Sequence, residues 1–309
     1  MGKIIAAIPN ICEGKDQGFI DGLTAKLQAV PGLVLLDVSM DKTRNRTVFA
    51  YTGSKNAVFD GGLILYEEAL KQIDMRRHQG EYPRIGAVDA FPFVPTKDAG
   101  IEEAVQWAEA FAQRVAETFQ IPVYLYGEAA RLPQRREIEN IREGEYEGLE
   151  ERLKDPRWKP DLGPEVFKPD FGATLIGARY PMVSFKVYLN TSNLEHTRAI
   201  CRGLTDGSGG GVRHVKTYAG VVYETGMCEI TVAISNYRVT PMYRIIELLA
   251  VEGRRFGIDI LNVEMIGLVP EQVFLDSALY YLRINSFSYE RIVEKNIQAH
   301  LDEKLSFIS

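Results

Sequence analysis

The stretch VLLDVSMDKTRNRTVFAYTG, residues 34–53, decides the fold. Two runs rich in β-branched, aliphatic and aromatic residues flank the polar turn Asp41–Asn45, so the segment reads as strand, turn, strand. Working backwards, KIIAAIP is an earlier strand. Between the two, Phe19, Ile20, Leu23, Leu27 and Val30 recur at helical spacing, and Gly32 follows as a stop. Working forwards, a helix starts near Ser54 and carries Val58, Leu63, Leu65, Leu70 and Ile73 on its apolar side. HQGEYPRIGAVD (78–89) then suits a rigid loop better than a helix or a strand. A helix over Ile101–Phe119 and the strand VYLYG follow.

The second half repeats the series. MVSFKVYL is a strand, Leu194–Gly203 a helix, and VRHVKTYAGVVYE and MCEITVAIS are strands meeting near Thr225 and Gly226. A helix opens at Pro241, ILNVEMIGLV closes the series, and a short helix covers Pro270–Leu282. Strand, helix, strand, strand, helix, strand is the split βαβ unit. The fold class expected is therefore α+β, with two tandem ferredoxin-like subdomains whose open sheet faces can pack or form a groove. Arg131–Gly177 reads as an ordered linker containing a short helix, EYEGLEERLK. The expected divisions are 1–178, 179–285 and a C-terminal tail, 286–309.

Composition narrows the function classes. A chain of 309 residues with 46% hydrophobic and 25% charged residues is that of a soluble globular protein, without an apolar run of membrane-spanning length. MGKIIAAIPN is too short for a signal-peptide core and lacks the Ser/Thr of a myristoylation signal. Cys12, Cys201 and Cys228 are odd in number and lack metal-site spacing, which points to a reducing, cytoplasmic setting. The net charge of −6 argues against a general nucleic-acid binder. RNA-recognition modules share the strand and helix order, yet neither half holds an RNP1-like run. DGSGGGVRHVK lacks the G-K-[ST] ending of a phosphate loop. His78, His196, His214 and His300 show no ligand spacing, so no metal is expected.

Several loops are richer than connections require. They are IPNICEG, NRTVFAYTG, IDMRRHQGEYPRIGAVDAFPFVP, VYLYGEAA, REGEYEGL, PDLGPEVFKPDFGATLIGAR and IGLVP. In the last of the long ones, the glycines permit close backbone approach to a flat ligand, and Phe167 and Phe171 are rings able to stack on it. In order and wording these stretches resemble glutamate formimidoyltransferase, the formiminotransferase part of formimidoyltransferase-cyclodeaminase. The resemblance runs from about Ile8 to Leu282 and does not extend to the cyclodeaminase module.

The resemblance implies two ferredoxin-like subdomains with tetrahydrofolate between them. It also implies transfer of a formimino group from N-formiminoglutamate, or a related formimino amino acid, to N5 of tetrahydrofolate, late in histidine breakdown. Tetrahydrofolate is thus a co-substrate, and a homodimer is left open. By the same resemblance, folate lies along Gly163, Pro164, Phe167, Phe171 and Gly172. Asn10, Glu13, Asn45 and Arg46 are candidates for the small substrate, with ordering of turn backbone as their alternative role. Arg84 and Asp89 are placed near the reacting end from their charge.

One departure matters chemically. The family loop resembles H-x-G-E-H-P-R-M-G-A, with its second histidine as the proposed acid/base, and Tyr82 stands at that position here. A histidine titrates near neutrality, whereas a tyrosine with a pKa of ~10 is only about 0.1% ionised at pH 7. Three readings stay open: Tyr82 works as an acid or hydrogen-bond donor with Arg84 lowering its pKa, His78 substitutes as the base, or the chain is a non-catalytic folate-binding paralogue. For His78 the alternative is a loop-ordering hydrogen bond. Lys186 and Tyr188 stand where the family resembles A-F-N-V-N-L, and Glu229 and Ala233 also depart from it. Residues 186 and 188 share one sheet face. That clustering suggests a changed small substrate, such as N-formiminoglycine, with Lys186 against it.

Overall fold

The computed structural model describes residues 3–96, 98–207, 210–297 and 300. The chain divides between Tyr180 and Pro181 into two compact units. Part of the glycine run and most of the C-terminal tail (208, 209, 298, 299 and 301–309) lie outside the described residues, as do Met1, Gly2 and Lys97.

The N-terminal unit begins with a strand interrupted at Ile8 and Pro9, giving β1 (Ile5–Ala7) and β2 (Asn10–Ile11). Then come α1 (Gln17–Gln28), β3 (Leu33–Asp41), β4 (Arg46–Gly53), α2 (Lys55–Gln72) and β5 (Val88–Pro95). Asp16 caps α1 by accepting from the Phe19 N–H at 3.0 Å, and Ile20, Leu23 and Leu27 face the core. β3 and β4 pair antiparallel from Leu33↔Gly53 to Asp41↔Arg46, as residues 34–53 demand. β1 and β2 lie between β4 and β5, antiparallel to both. This is a split βαβ unit, βαββαβ, with helices over one face.

The unit is then extended. α3 (Ile101–Phe119) leads to β6 (Val123–Gly127), and β7 (Thr174–Ala178) runs parallel between β5 and β6. The sheet order becomes β3, β4, β1/β2, β5, β7, β6. Two expectations are corrected here. The loop HQGEYPRIGAVD ends in the start of β5, and the linker Arg131–Gly177 contributes most of β7, an interior strand. β5 escapes a sequence reading because Pro92 and Pro95 argue against an interior strand. β7 escapes because it is buried on both faces and so shows no alternation. Phe91, Leu125 and Ile176 face the core under α2 and α3, whereas Ala90, Tyr124 and Leu175 pack against Ile141, Leu149 and Leu153. Those last three belong to α4 (Ile138–Arg142), α5 (Glu145–Arg152) and the residue that ends α5, so the linker is a second cover over half of the sheet. On α2 the buried face runs through Val58, Gly62, Leu65, Tyr66 and Ala69, while Leu63 and Leu70 are only half-buried.

In the C-terminal unit, β8 (Val183–Leu189), α6 (Leu194–Leu204), β9 (Val215–Val221), β10 (Cys228–Ile234), α7 (Met242–Arg254) and β11 (Ile260–Ile266) follow the same path. The order β11, β8, β10, β9 with every neighbour antiparallel is the ferredoxin-like arrangement. Val183, Phe185, Val187 and Leu189 are buried with residues of α6 and α7, while Ser184, Lys186 and Tyr188 occupy the other face. α8 (Glu271–Tyr281) follows β11. Among the described residues, no helix is long and apolar enough to cross a membrane.

Candidate active site

The second face of the N-terminal sheet, opposite α1 to α3, gathers charged residues where the α4 and α5 cover ends. Alternation along β4 sends Thr47, Phe49 and Tyr51 into the core and Arg46 to this face. On β5 the register slips. Asn10 pairs with Ala90 and Ile11 with Val88, so Asp89 is an extra residue without a partner opposite, in the manner of a β-bulge. The Asp89 side chain is almost fully buried, with one oxygen accepting from the Ile85 N–H at 2.9 Å. Its other oxygen is bridged by Nη2 of Arg142, the last residue of α4.

Arg142 reaches Tyr82 as well. Its Nη1 donates to the Tyr82 hydroxyl at 3.2 Å, and its guanidinium lies 5.1 Å from the ring centroid. The Arg46 guanidinium lies 4.1 Å from the same centroid and donates through Nη2 to the Asn10 side-chain oxygen. The Nε atoms of Arg46 and Arg142 are buried without a hydrogen-bond partner. Burial by itself raises a phenol, but the Arg142 and Arg46 charges outweigh it and bring Tyr82 below the usual 10. Arg142 keeps its proton despite burial because Asp89 and Tyr82 stabilise the charge.

A second cluster surrounds His78. Its Nε2 donates to the Asn45 carbonyl at 2.9 Å, and its Nδ1 accepts from Arg84 Nε at 3.3 Å. Both ring nitrogens are thus engaged and the ring is neutral; burial pushes it below its ordinary 6.5, with the Asn45 carbonyl opposing. Asn45, in a left-handed conformation (φ 48°), accepts from the Gly14 N–H and donates to the Gln79 carbonyl, each at 2.9 Å. Glu13 accepts from the N–H groups of Lys15 and Asp16 at 2.6 and 2.9 Å. Asn45, Glu13 and His78 therefore order the turns.

Arg84 is not placed as its charge suggested. Buried to 6% exposure, it is held by Glu147 in a two-pronged pair at 2.6 and 2.8 Å and by Glu145 at 2.7 Å. Glu147 keeps Arg84 firmly protonated, and Arg84 in turn holds the Glu147 carboxyl below its usual range. The cations that lower the Tyr82 phenol are Arg142 and Arg46. His78, Gln79, Gly80, Arg84, Gly144, Glu145 and Glu147 line an open cleft of about 490 Å³.

The residues expected along a folate separate. Phe171 is fully buried and stacked on Tyr66, with centroids 6.2 Å apart, so its ring has no free face for a ligand. Gly172 (φ +83°) and Gly86 let two chains touch: a Cβ at Gly172 would lie 2.1 Å from the Ile85 carbonyl oxygen, and one at Gly86 would lie 2.0 Å from that of Ala173. Gly163 (φ +81°) approaches the Ile121 carbonyl in the same way. These glycines answer to backbone neighbours. Pro164 and Phe167 are half-buried, and the Phe167 ring meets Tyr146 at 5.5 Å. Lys186 belongs to the C-terminal unit and pairs with Glu229 at 3.2 Å.

The sequence reading thus named Tyr82, Arg46, Asn10 and Asp89, which the fold brings together, and missed Arg142, which joins two of them. The only signal for Arg142 was its place at the head of REGEYEGL. Among the described residues, no three of His, Cys, Asp or Glu converge as a metal site requires.

Residues 4–179 match the family profile described as the formiminotransferase domain, N-terminal subdomain, and residues 190–302 that described as the formiminotransferase domain. The chain is 38% identical over 298 residues to glutamate formimidoyltransferase of Thermoplasma acidophilum, covering 96% of this chain and 98% of that protein. It is 36% identical over 296 residues to the Streptococcus pyogenes serotype M1 protein of the same name, covering 96% and 99%. Against formimidoyltransferase-cyclodeaminase of Rattus norvegicus, identity is 36% over 285 residues, which is 91% of this chain and 53% of the rat protein.

Proposed function

Because this chain belongs to the formiminotransferase family, we propose that it transfers a formimino group from a formimino amino acid to N5 of tetrahydrofolate. N-formiminoglutamate is the donor suggested by the names of the relatives. N5 of the folate supplies the nucleophile and gives up a proton. The amidine carbon forms a bond to it, the bond to the amino acid nitrogen breaks, and that nitrogen leaves with the proton.

The chain must move one proton between two nitrogens, and Tyr82 is the group we assign to that task. The observation that carries the reading is the hydroxyl of Tyr82 on Arg142 with Arg46 against its ring. Cations on the ring and oxygen lower the phenol against the opposing effect of burial, which is the direction a base near neutrality needs. As phenolate Tyr82 accepts the N5 proton, and as phenol it returns it to the leaving nitrogen. His78 is not the base in this reading, since both its nitrogens are spent on Asn45 and Arg84. Arg46, against the Tyr82 ring, and Asn10, which accepts from Arg46, are assigned to the donor, whose carboxylate suits a guanidinium. Pro164 and Phe167 remain our candidates for folate contact. Cys12, Cys201 and Cys228 are all free and buried, which supports a cytoplasmic setting.

The test is formimino transfer to tetrahydrofolate with N-formiminoglutamate and N-formiminoglycine as donors, for the natural protein and Tyr82→Phe. Turnover by the natural protein and a loss of about 10²- to 10⁴-fold in Tyr82→Phe is the expected result. An undiminished rate in Tyr82→Phe removes Tyr82 from the chemistry. Tight folate binding without turnover on either donor makes the chain a folate-binding relative that has lost the reaction.

A further inference from the structure

Arg142 is expensive to keep where it is. It ends a five-residue helix, is 6% exposed, and leaves its Nε unpaired. A buried ion pair is weak evidence for stability, because the desolvation of both charges cancels much of their attraction. The pair it forms is also specific in direction. Asp89 is the bulged residue of β5 and is itself fixed by the Ile85 N–H, so the carboxylate sets where the guanidinium points. The remaining Nη1 is aimed at the oxygen of Tyr82.

That bond has a chemical direction too. An arginine only donates, so the Tyr82 oxygen accepts, and its own hydrogen points elsewhere. Among the described residues the hydroxyl hydrogen has no acceptor. The charged groups acting on Tyr82 are Arg142 from α4, Arg46 from β4, Asp89 from β5 and Arg179 just beyond β7. Burial opposes an anion on the phenol oxygen, and the Arg142 and Arg46 charges outweigh both it and Asp89.

We propose that Arg142, oriented by Asp89, is the positioning residue of Tyr82, fixing its hydroxyl oxygen through Nη1 and compensating the charge left when the proton departs. The inference rests on Tyr82 as the proton-transfer group, and it deepens that reading by naming what makes a tyrosine serviceable there. The rival account makes Arg142 a staple between α4 and β5 and nothing more.

The experiment is an ultraviolet titration of tyrosinate in the whole protein, with Arg142→Met and Arg142→Lys beside it. Subtracting the matching Tyr82→Phe background isolates the Tyr82 increment in each case. The expected result is a Tyr82 midpoint that rises by about one pH unit or more in Arg142→Met and by less in Arg142→Lys. In steady state, kcat near neutral pH falls more than about tenfold with the folate KM nearly unchanged, and the deficit narrows as pH rises toward the new midpoint. A lowered Tm with an unmoved Tyr82 midpoint and an unmoved pH–rate profile overturns the proposal in favour of the staple. Should Arg142→Met fail to fold, Arg142→Gln carries the same decision, since it removes the charge from the Tyr82 oxygen while keeping a polar side chain for Asp89. Absence of transfer by the natural protein defeats the transferase reading alone, because the titration still decides what Arg142 does to Tyr82.

Discussion

The two units follow one path, strand, helix, strand, strand, helix, strand, and bury different things. In the C-terminal unit the buried polar residues among those described are Thr197, Thr217 and Thr240. In the N-terminal unit Arg84, Asp89, Arg135 and Arg142 are buried as well. The difference follows from the extension. β7 and β6 and the cover of α4 and α5 enclose space over the second face of the N-terminal sheet, whereas β8 to β11 leave their second face with Lys186, Tyr188 and Glu229 partly in water. An enclosed face lets a few fixed charges act strongly on one hydroxyl, and an open face screens them.

The comparison breaks most sharply at Asp89. Asp89→Ala leaves Arg142 buried without a counter-charge, and urea denaturation is expected to show a loss of about 3–5 kcal/mol. A loss below about 1 kcal/mol would mean that water reaches the pair and the enclosure argument is wrong. Next comes Gly86→Ala, where a methyl group meets the Ala173 carbonyl at the junction with Gly172. A loss of about 1–3 kcal/mol is expected, read from the same denaturation curves. Lys186→Met, on the open face, is expected to change stability by less than about 1 kcal/mol, since the Lys186–Glu229 pair is partly exposed. An effect as large as that of Asp89→Ala would erase the contrast between the units.

The smallest effect is a pH dependence. The folded-state pKa of His78 lies below its ordinary value, so the unfolded chain takes up its proton first as pH falls. The stability from neutral His78 is full above about pH 6.5 and is lost as pH drops through the lower folded value. Melting temperatures at about pH 7.5 and pH 5 should therefore differ less in His78→Gln than in the natural protein. Equal differences would place His78 in water, outside the Asn45 and Arg84 contacts.

Most helices were legible because they carry their own punctuation: Asp16 before α1, Ser54 before α2, Asn193 before α6 and Pro241 before α7. β3 and β4 were legible from their β-branched and aromatic content around a polar turn, and β8 and β10 from alternation, because one face is covered and the other is not. β5 and β7 were hidden by the opposite circumstance. Their residues are buried on both sides, and β5 bears two prolines, so neither periodicity nor propensity marks them. Phe171 reads as a ring free for a ligand only while β7 is taken as linker. Once Thr174–Ala178 is an interior strand, Phe171 leads into it and packs on Tyr66.

The sequence by itself determined the fold class, the repeated unit of the C-terminal half, the family and the residues with chemistry to offer, because these are carried by local spacing and by motifs read along the chain. The tertiary structure alone decided which cation serves which partner. Arg84 stands two residues from Tyr82 and bonds Glu145 and Glu147, while Arg142, sixty residues away, bonds Tyr82. The reason is physical. A buried guanidinium goes to the carboxylate that the fold brings within reach, and that depends on how α4 and α5 lie over the sheet, a distance no spacing in the chain records.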